Sequence, residues 1–162
     1  MNIKEQVTPE QYKTLLNGIS AAAAYVSTAS GGGFEGIKEI FNASKYARDA
    51  AVKESGSGYG VLADGLLDEM AEMSFGEARQ SAIDIDARDL PGMRSELKQA
   101  VASAAAIAAS QPDGPGYKRF LVDVARTVAE TKTGGFLGIG AKSVIDPAEQ
   151  VALDELAALL NV

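Results

Sequence analysis

Cysteine, histidine and tryptophan are all missing from the 162 residues. Without cysteine the chain has no disulfide framework and no thiol nucleophile. Without histidine as well it has no imidazole base, and no zinc site of the usual Cys/His kind. Most enzyme classes are excluded at once. Aromatic side chains are scarce, five Phe and five Tyr, so no aromatic platform marks a sugar site and nothing singles out a catalytic pair among the many carboxylates. Long apolar runs are lacking too. The most apolar stretch, Ala100 to Ala109, is interrupted by Ser103 and is far short of the roughly 20 residues a membrane-spanning helix needs. Met1 to Pro9 carries Lys4 and Glu5 and no apolar core of signal-peptide length, so the expected location is cytoplasmic. Positive charge is in deficit: fifteen basic residues face twenty-two acidic ones, for a formal charge of −7. That balance repels phosphate backbones and anionic membrane surfaces, so nucleic acid is not an expected partner.

What is present is alanine and aliphatic side chains in a chain of single-domain length, able to bury about two-thirds of its unfolded surface. We expect one domain over residues 1–162. Alanine on this scale favours closely packed helices.

The helix signals are local and numerous. Thr8-Pro9-Glu10-Gln11 reads as a start, with Thr8 the cap, Pro9 at the first position and Gln11 closing the capping box. That helix should run to about Thr28 and end at Gly31, Gly32 and Gly33. Ile37, Ile40, Phe41, Ser44, Ala47 and Ala51 mark the inward stripe of a second helix, broken by Ser55-Gly56-Ser57-Gly58. Val61, Leu62, Leu66, Met70 and Met73 form a third stripe. Ser74 and Glu77 make a capping pair for a short fourth helix reaching about Ala87, which Pro91-Gly92 stops. A fifth helix is expected from Met93 to Ser110, a turn over Gln111 to Gly116, and a sixth helix from Tyr117 to about Thr131. In the seventh, Asp146 caps, Pro147 and Glu149 take the first and third positions, and Val151, Leu153, Leu156, Leu159 and Leu160 form the core face. No segment has a period of two, so the fold class is all-α with about seven helices.

Four further patterns bear on function. Ala23 to Ile37 recurs weakly as Ala125 to Ile139, with Gly32-Gly33-Phe34 matching Gly134-Gly135-Phe136, which implies two helical hairpins related by a pseudo-two-fold. The glycines read as helix C-caps, or alternatively as loops whose N–H groups hold an anion or partner. Gly135 to Ser143 comes near a phosphate-binding loop, but Ala141 separates the last glycine from Lys142 and a helix, not a strand, precedes it. Asp84 to Asp89 imitates a calcium loop, but Arg88 falls at the third ligand position. Between Asp64 and Asp89 lie eight acids and two arginines, a net −6. There Asp64, Asp68 and Glu72 follow one another at four-residue steps on one helix face, candidates for gathering a hard cation or a basic protein partner, or simply a solvated surface.

Ala104-Ala105-Ala106-Ile107-Ala108-Ala109-Ser110 leads to Asp113-Gly114, and Leu121, Val124 and Ala125 follow on the returning helix. In this pattern the chain resembles the TerB-like tellurite-resistance family over residues 8 to 162. Gly32-Gly33 and Gly134-Gly135 stand where the family would have Asp-Gly, and Lys118 and Arg119 occupy the stretch where it tends to carry an acid. The resemblance implies an all-α domain associated with the bacterial response to tellurite and related stress, without known catalytic chemistry, and with acidic residues that take metal ions. We therefore expect a non-enzymatic, stress-associated module that works through contacts with an as yet unidentified protein partner. The alternative is a domain in which carboxylates near the Asp-Gly turn, Asp113 first, bind a divalent cation weakly. No other cofactor is expected.

Overall fold

The computed structural model describes residues 3–30, 37–74, 76–77, 89–132 and 144–162. These form a short 3-10 turn, Ile3–Glu5, and six α-helices: α1 (Pro9–Ser27), α2 (Ile37–Ser55), α3 (Val61–Glu72), α4 (Leu90–Ala109), α5 (Gly114–Lys132) and α6 (Pro147–Leu160). No strand occurs among the described residues. The all-α expectation holds, with six helices among the described residues instead of seven. The expected fourth helix, Ser74 to Ala87, lies mostly outside them. At its start the capping pair is present: the Ser74 backbone N–H and hydroxyl donate to Glu77 Oε2 at 2.9 and 2.6 Å, and the Glu77 N–H donates to Ser74 Oγ. The two Gly-Gly-Phe segments and the near-phosphate loop at 135–143 also lie outside the described residues, and so does most of the calcium-loop mimic.

Helix α1 is the axis of the assembly. Thr8 and Gln11 close the expected capping box, with the Thr8 N–H donating to Gln11 Oε1 at 2.9 Å and the Gln11 N–H to Thr8 Oγ1 at 3.2 Å. Beyond its first turns the helix is buried on nearly every side, Leu15, Leu16, Ile19 and the whole run Ala21 to Val26 included. Such a helix must have neighbours all round, and it packs most extensively on α4 and α5. Alanine is what lets the axes approach: Ala21 to Ala24 on α1 and Ala104 and Ala108 on α4 are at most 1% exposed, and small side chains permit short interaxial distances. One contiguous cluster of buried side chains takes members from every described helix and from Ile3 of the N-terminal turn.

The ends of the helices are tied by specific polar contacts. At the C-terminal end of α1 the Arg94 guanidinium donates to the Tyr25 carbonyl at 2.8 Å and lies 4.1 Å from the centre of the Tyr25 ring. The Tyr25 hydroxyl donates to Glu155 of α6. An orphan helix carbonyl, a cation over an aromatic face and a carboxylate are thus satisfied in one place. At the other end Ile3 is buried, and Lys4 pairs with Glu69 of α3.

Two boundaries differ from expectation. Pro91-Gly92 opens a helix instead of stopping one: α4 begins at Leu90, Pro91 sits in its first turn, and Asp89 caps it by accepting the Gly92 N–H at 3.2 Å. Proline is as compatible with a first turn as with a stop. Likewise α5 starts at Gly114, within the expected turn, so the connection after α4 is shorter than the glycines and prolines suggest.

Candidate functional site

Two helices begin at the same place. The Tyr117 N–H donates to the Asp113 carbonyl at 3.1 Å, which opens α5, and the Asp113 side chain turns across to α3, where Oδ2 accepts the Val61 N–H at 3.0 Å. The residue in the N-cap position of α3 is Gly60, which has no side chain to cap with. A carboxylate 52 residues away does that work, set against the positive end of the α3 dipole. Gly60 has φ +102°, and a Cβ there would meet Asp113 Cβ and Cγ at 2.9 Å. Glycine is required on both counts. Opposite, Gly116 lies so close to the Tyr59 carbonyl that any Cβ would collide with it.

Between the two helix starts lies an open cleft of about 640 Å³. Its walls are the Ser57–Val61 segment, Asp64 and Asp68 on α3, and Pro112, Asp113, Pro115, Gly116 and Arg119 on the other side. Tyr59 forms part of the floor, 7% exposed, tilted against Phe120 with ring centres 5.1 Å apart. Its hydroxyl donates to Asp123 Oδ2 at 2.8 Å and lies 3.2 Å from the Ala47 carbonyl. Burial, and then the bond to Asp123, push the Tyr59 hydroxyl well above the ordinary tyrosine range, so it stays protonated and fixed at neutral pH.

The candidate residues divide. Asp64, Asp68 and Asp113 line this one cleft. Glu72 does not; it is exposed two turns further along α3, about 12 Å from Asp64 at the rise of an α-helix. Asp68 is engaged from outside by Arg48 of α2 at 2.9 Å, with 74% of its own side chain exposed, a pair that contributes little to stability. Arg119 brings a guanidinium to a cleft whose other charged residues are the three carboxylates. Val61, expected in the α3 core stripe, is 43% exposed at the mouth of the cleft, and the stripe is completed instead by Ala63 and Leu67. Val151 is likewise 58% exposed, while Glu149 is 1% exposed and accepts the Ser30 hydroxyl at 2.9 Å. Asp146 caps α6 as expected, through the Ala148 N–H at 2.8 Å.

As a metal ligand Asp113 is poorly placed, because one of its oxygens already holds the Val61 N–H. Among the described residues no three Asp, Glu, His or Cys side chains come together as a metal-binding group. Sequence reasoning did not find Tyr59, Arg119, Pro112 and Pro115 as cleft residues. Their local patterns say only turn or helix face, and what brings them together is the docking of α3 on α5. No described helix is long and apolar enough to cross a membrane. Comparison of the chain with family models, curated proteins and solved structures finds no match.

Proposed function

We propose that the chain is a single helical module of the TerB-like, stress-associated kind, non-enzymatic, which acts by receiving a protein partner at the cleft between the starts of α3 and α5. The observation that carries this reading is that Asp64 and Asp68 form one wall of an open cleft whose mouth also exposes the apolar side chain of Val61. Surface carboxylates alone are commonly just solvated. Carboxylates beside exposed valine and the prolines Pro112 and Pro115 offer both a charge and an apolar contact. The complementary partner presents a basic segment with small apolar side chains. The net charge of −7 supports it by steering cationic partners towards the molecule.

Cross-linking in the source cell tests the reading. Wild type is compared with Asp64→Lys/Asp68→Lys and with a control reversal, Glu10→Lys, at the exposed start of α1. The expected result is a partner lost in the cleft variant, retained in the control, and weakened by salt. A partner retained equally in all three moves the contact elsewhere, and unchanged tellurite sensitivity in cells lacking the protein removes the link to that stress.

A further inference from the structure

We propose that α3 opens about Gly60, apart from the other helices and with Tyr59 left in place on α5, and that the Asp113 carboxylate is the catch that holds it closed. This is independent of what the cleft binds. The helix enters on a segment with a glycine at each end in the left-handed region, Gly56 at φ +74° and Gly60 at φ +102°. Gly56 has nothing within 4 Å of where a Cβ would stand. Such a segment has the backbone freedom a hinge requires. Its principal packing partners are α2, α5 and the N-terminal turn, whereas α1, α4 and α5 are packed mutually around the core. Its other side-chain ties, Lys4 to Glu69 and Arg48 to Asp68, each have one partner at least half exposed to solvent, 53% for Lys4 and 74% for Asp68, which screens them. The exception is Asp113, a charge-assisted bond to the first N–H of the helix made from the start of α5.

Leu62, Ala63, Leu66 and Leu67 are buried, so the open form is a rare excursion, the kind that amide exchange detects. Opening would separate Asp64 and Asp68 from Pro115 and Arg119 and widen the cleft. Closure restores the Asp113 bond.

Hydrogen exchange read by mass spectrometry on wild type, Asp113→Ala and Asp113→Asn tests this. In wild type the α3 amides should exchange faster than the buried stretches of α1 and α4. Asp113→Ala should raise α3 exchange by about tenfold or more, the loss expected for a charge-assisted cap, with α1 and α4 unchanged. Asp113→Asn, whose side-chain oxygen can still accept, should fall between. If Asp113→Ala does not fold, the Asn variant against wild type carries the same comparison. Equal protection of α3 and α1 in wild type, an unchanged α3 in the variants, or exchange raised evenly across all helices would each overturn the proposal.

Discussion

The Tyr117 hydroxyl donates to the Leu15 carbonyl at 2.6 Å, linking the start of α5 to the middle of α1 inside the core. Tyr117 is fully buried, and a buried hydroxyl without a partner costs free energy. The Leu15 carbonyl supplies that partner. Tyr117→Phe keeps the ring and removes the bond, so it should destabilise by about 1 kcal/mol. Tyr117→Ala adds a cavity and should cost about 3–5 kcal/mol. Denaturant melts of the two variants check both figures. Equal effects of Phe and Ala would mean that the ring contributes nothing beyond its hydroxyl.

Tyr59 and Tyr117 also set how the protein responds to base. Burial raises the Tyr117 hydroxyl far above the ordinary value near 10, and burial with the Asp123 bond does the same for Tyr59. Below that ordinary value folded and unfolded chains both keep the protons, and the stabilisation is complete. Above it the unfolded chain releases protons that the folded chain retains, so stability falls as pH rises, by up to about 1.4 kcal/mol per unit for each tyrosine. We expect thermal midpoints to hold to about pH 10 and then drop, with tyrosinate absorbance appearing together with unfolding. Tyr59→Phe should make the drop shallower. Ionisation of these tyrosines in the intact fold at pH 10 would contradict it.

The helix class and several ends could be read locally, because a cap is a matter of three or four adjacent residues. Thr8 with Gln11, Ser74 with Glu77, and Asp146 before Pro147 all appear as the spacing predicts. Proline was ambiguous at Pro91 for a physical reason: the ring forbids a helix interior, but both a stop and a first turn satisfy that constraint. Which residue of a stripe faces inward depends on the rotation of the helix against its neighbours, which spacing alone does not fix. Hence Val61 and Val151 are exposed while Glu149 is buried. The cleft was legible only in part. Asp64 and Asp68 share a face by their four-residue step, but nothing near Asp113 in the chain announces that its carboxylate caps a helix 52 residues earlier.

Close backbone approach at the cleft gives a third prediction. Gly116 faces the Tyr59 carbonyl with no room for a Cβ, so Gly116→Val must push the Tyr59 segment away from α5. Overpacking of this kind costs roughly 1–3 kcal/mol, and it should also free the Tyr59 hydroxyl from Asp123. Gly56→Val, at the exposed left-handed position, should cost about 1 kcal/mol or more through backbone strain alone and leave Tyr59 in place. Thermal melts with tyrosine fluorescence separate the two. A Gly116→Val protein that melts with wild type would mean that the two segments do not touch in solution.

The last prediction concerns metal. Asp113, Asp64 and Asp68 line one cleft, which by itself invites a hard, oxygen-liganded ion, since no histidine or cysteine is present to hold a softer one. Three features weigh against a tight site. One Asp113 oxygen is committed to the Val61 N–H, Asp68 is turned outward to Arg48, and Arg119 places a positive charge at the same cleft. What remains is diffuse attraction to an acidic molecule, which has no fixed stoichiometry and fades as salt screens it. Titration calorimetry at about physiological ionic strength should therefore find no Ca²⁺ or Mg²⁺ site tighter than roughly 10⁻⁴ M, the weak end of the calcium scale. A stoichiometric site in the micromolar range, abolished by Asp113→Ala, would show that Asp113 ligates an ion despite its bond to the Val61 N–H. It would also make metal binding, not a protein contact, the leading account of the cleft.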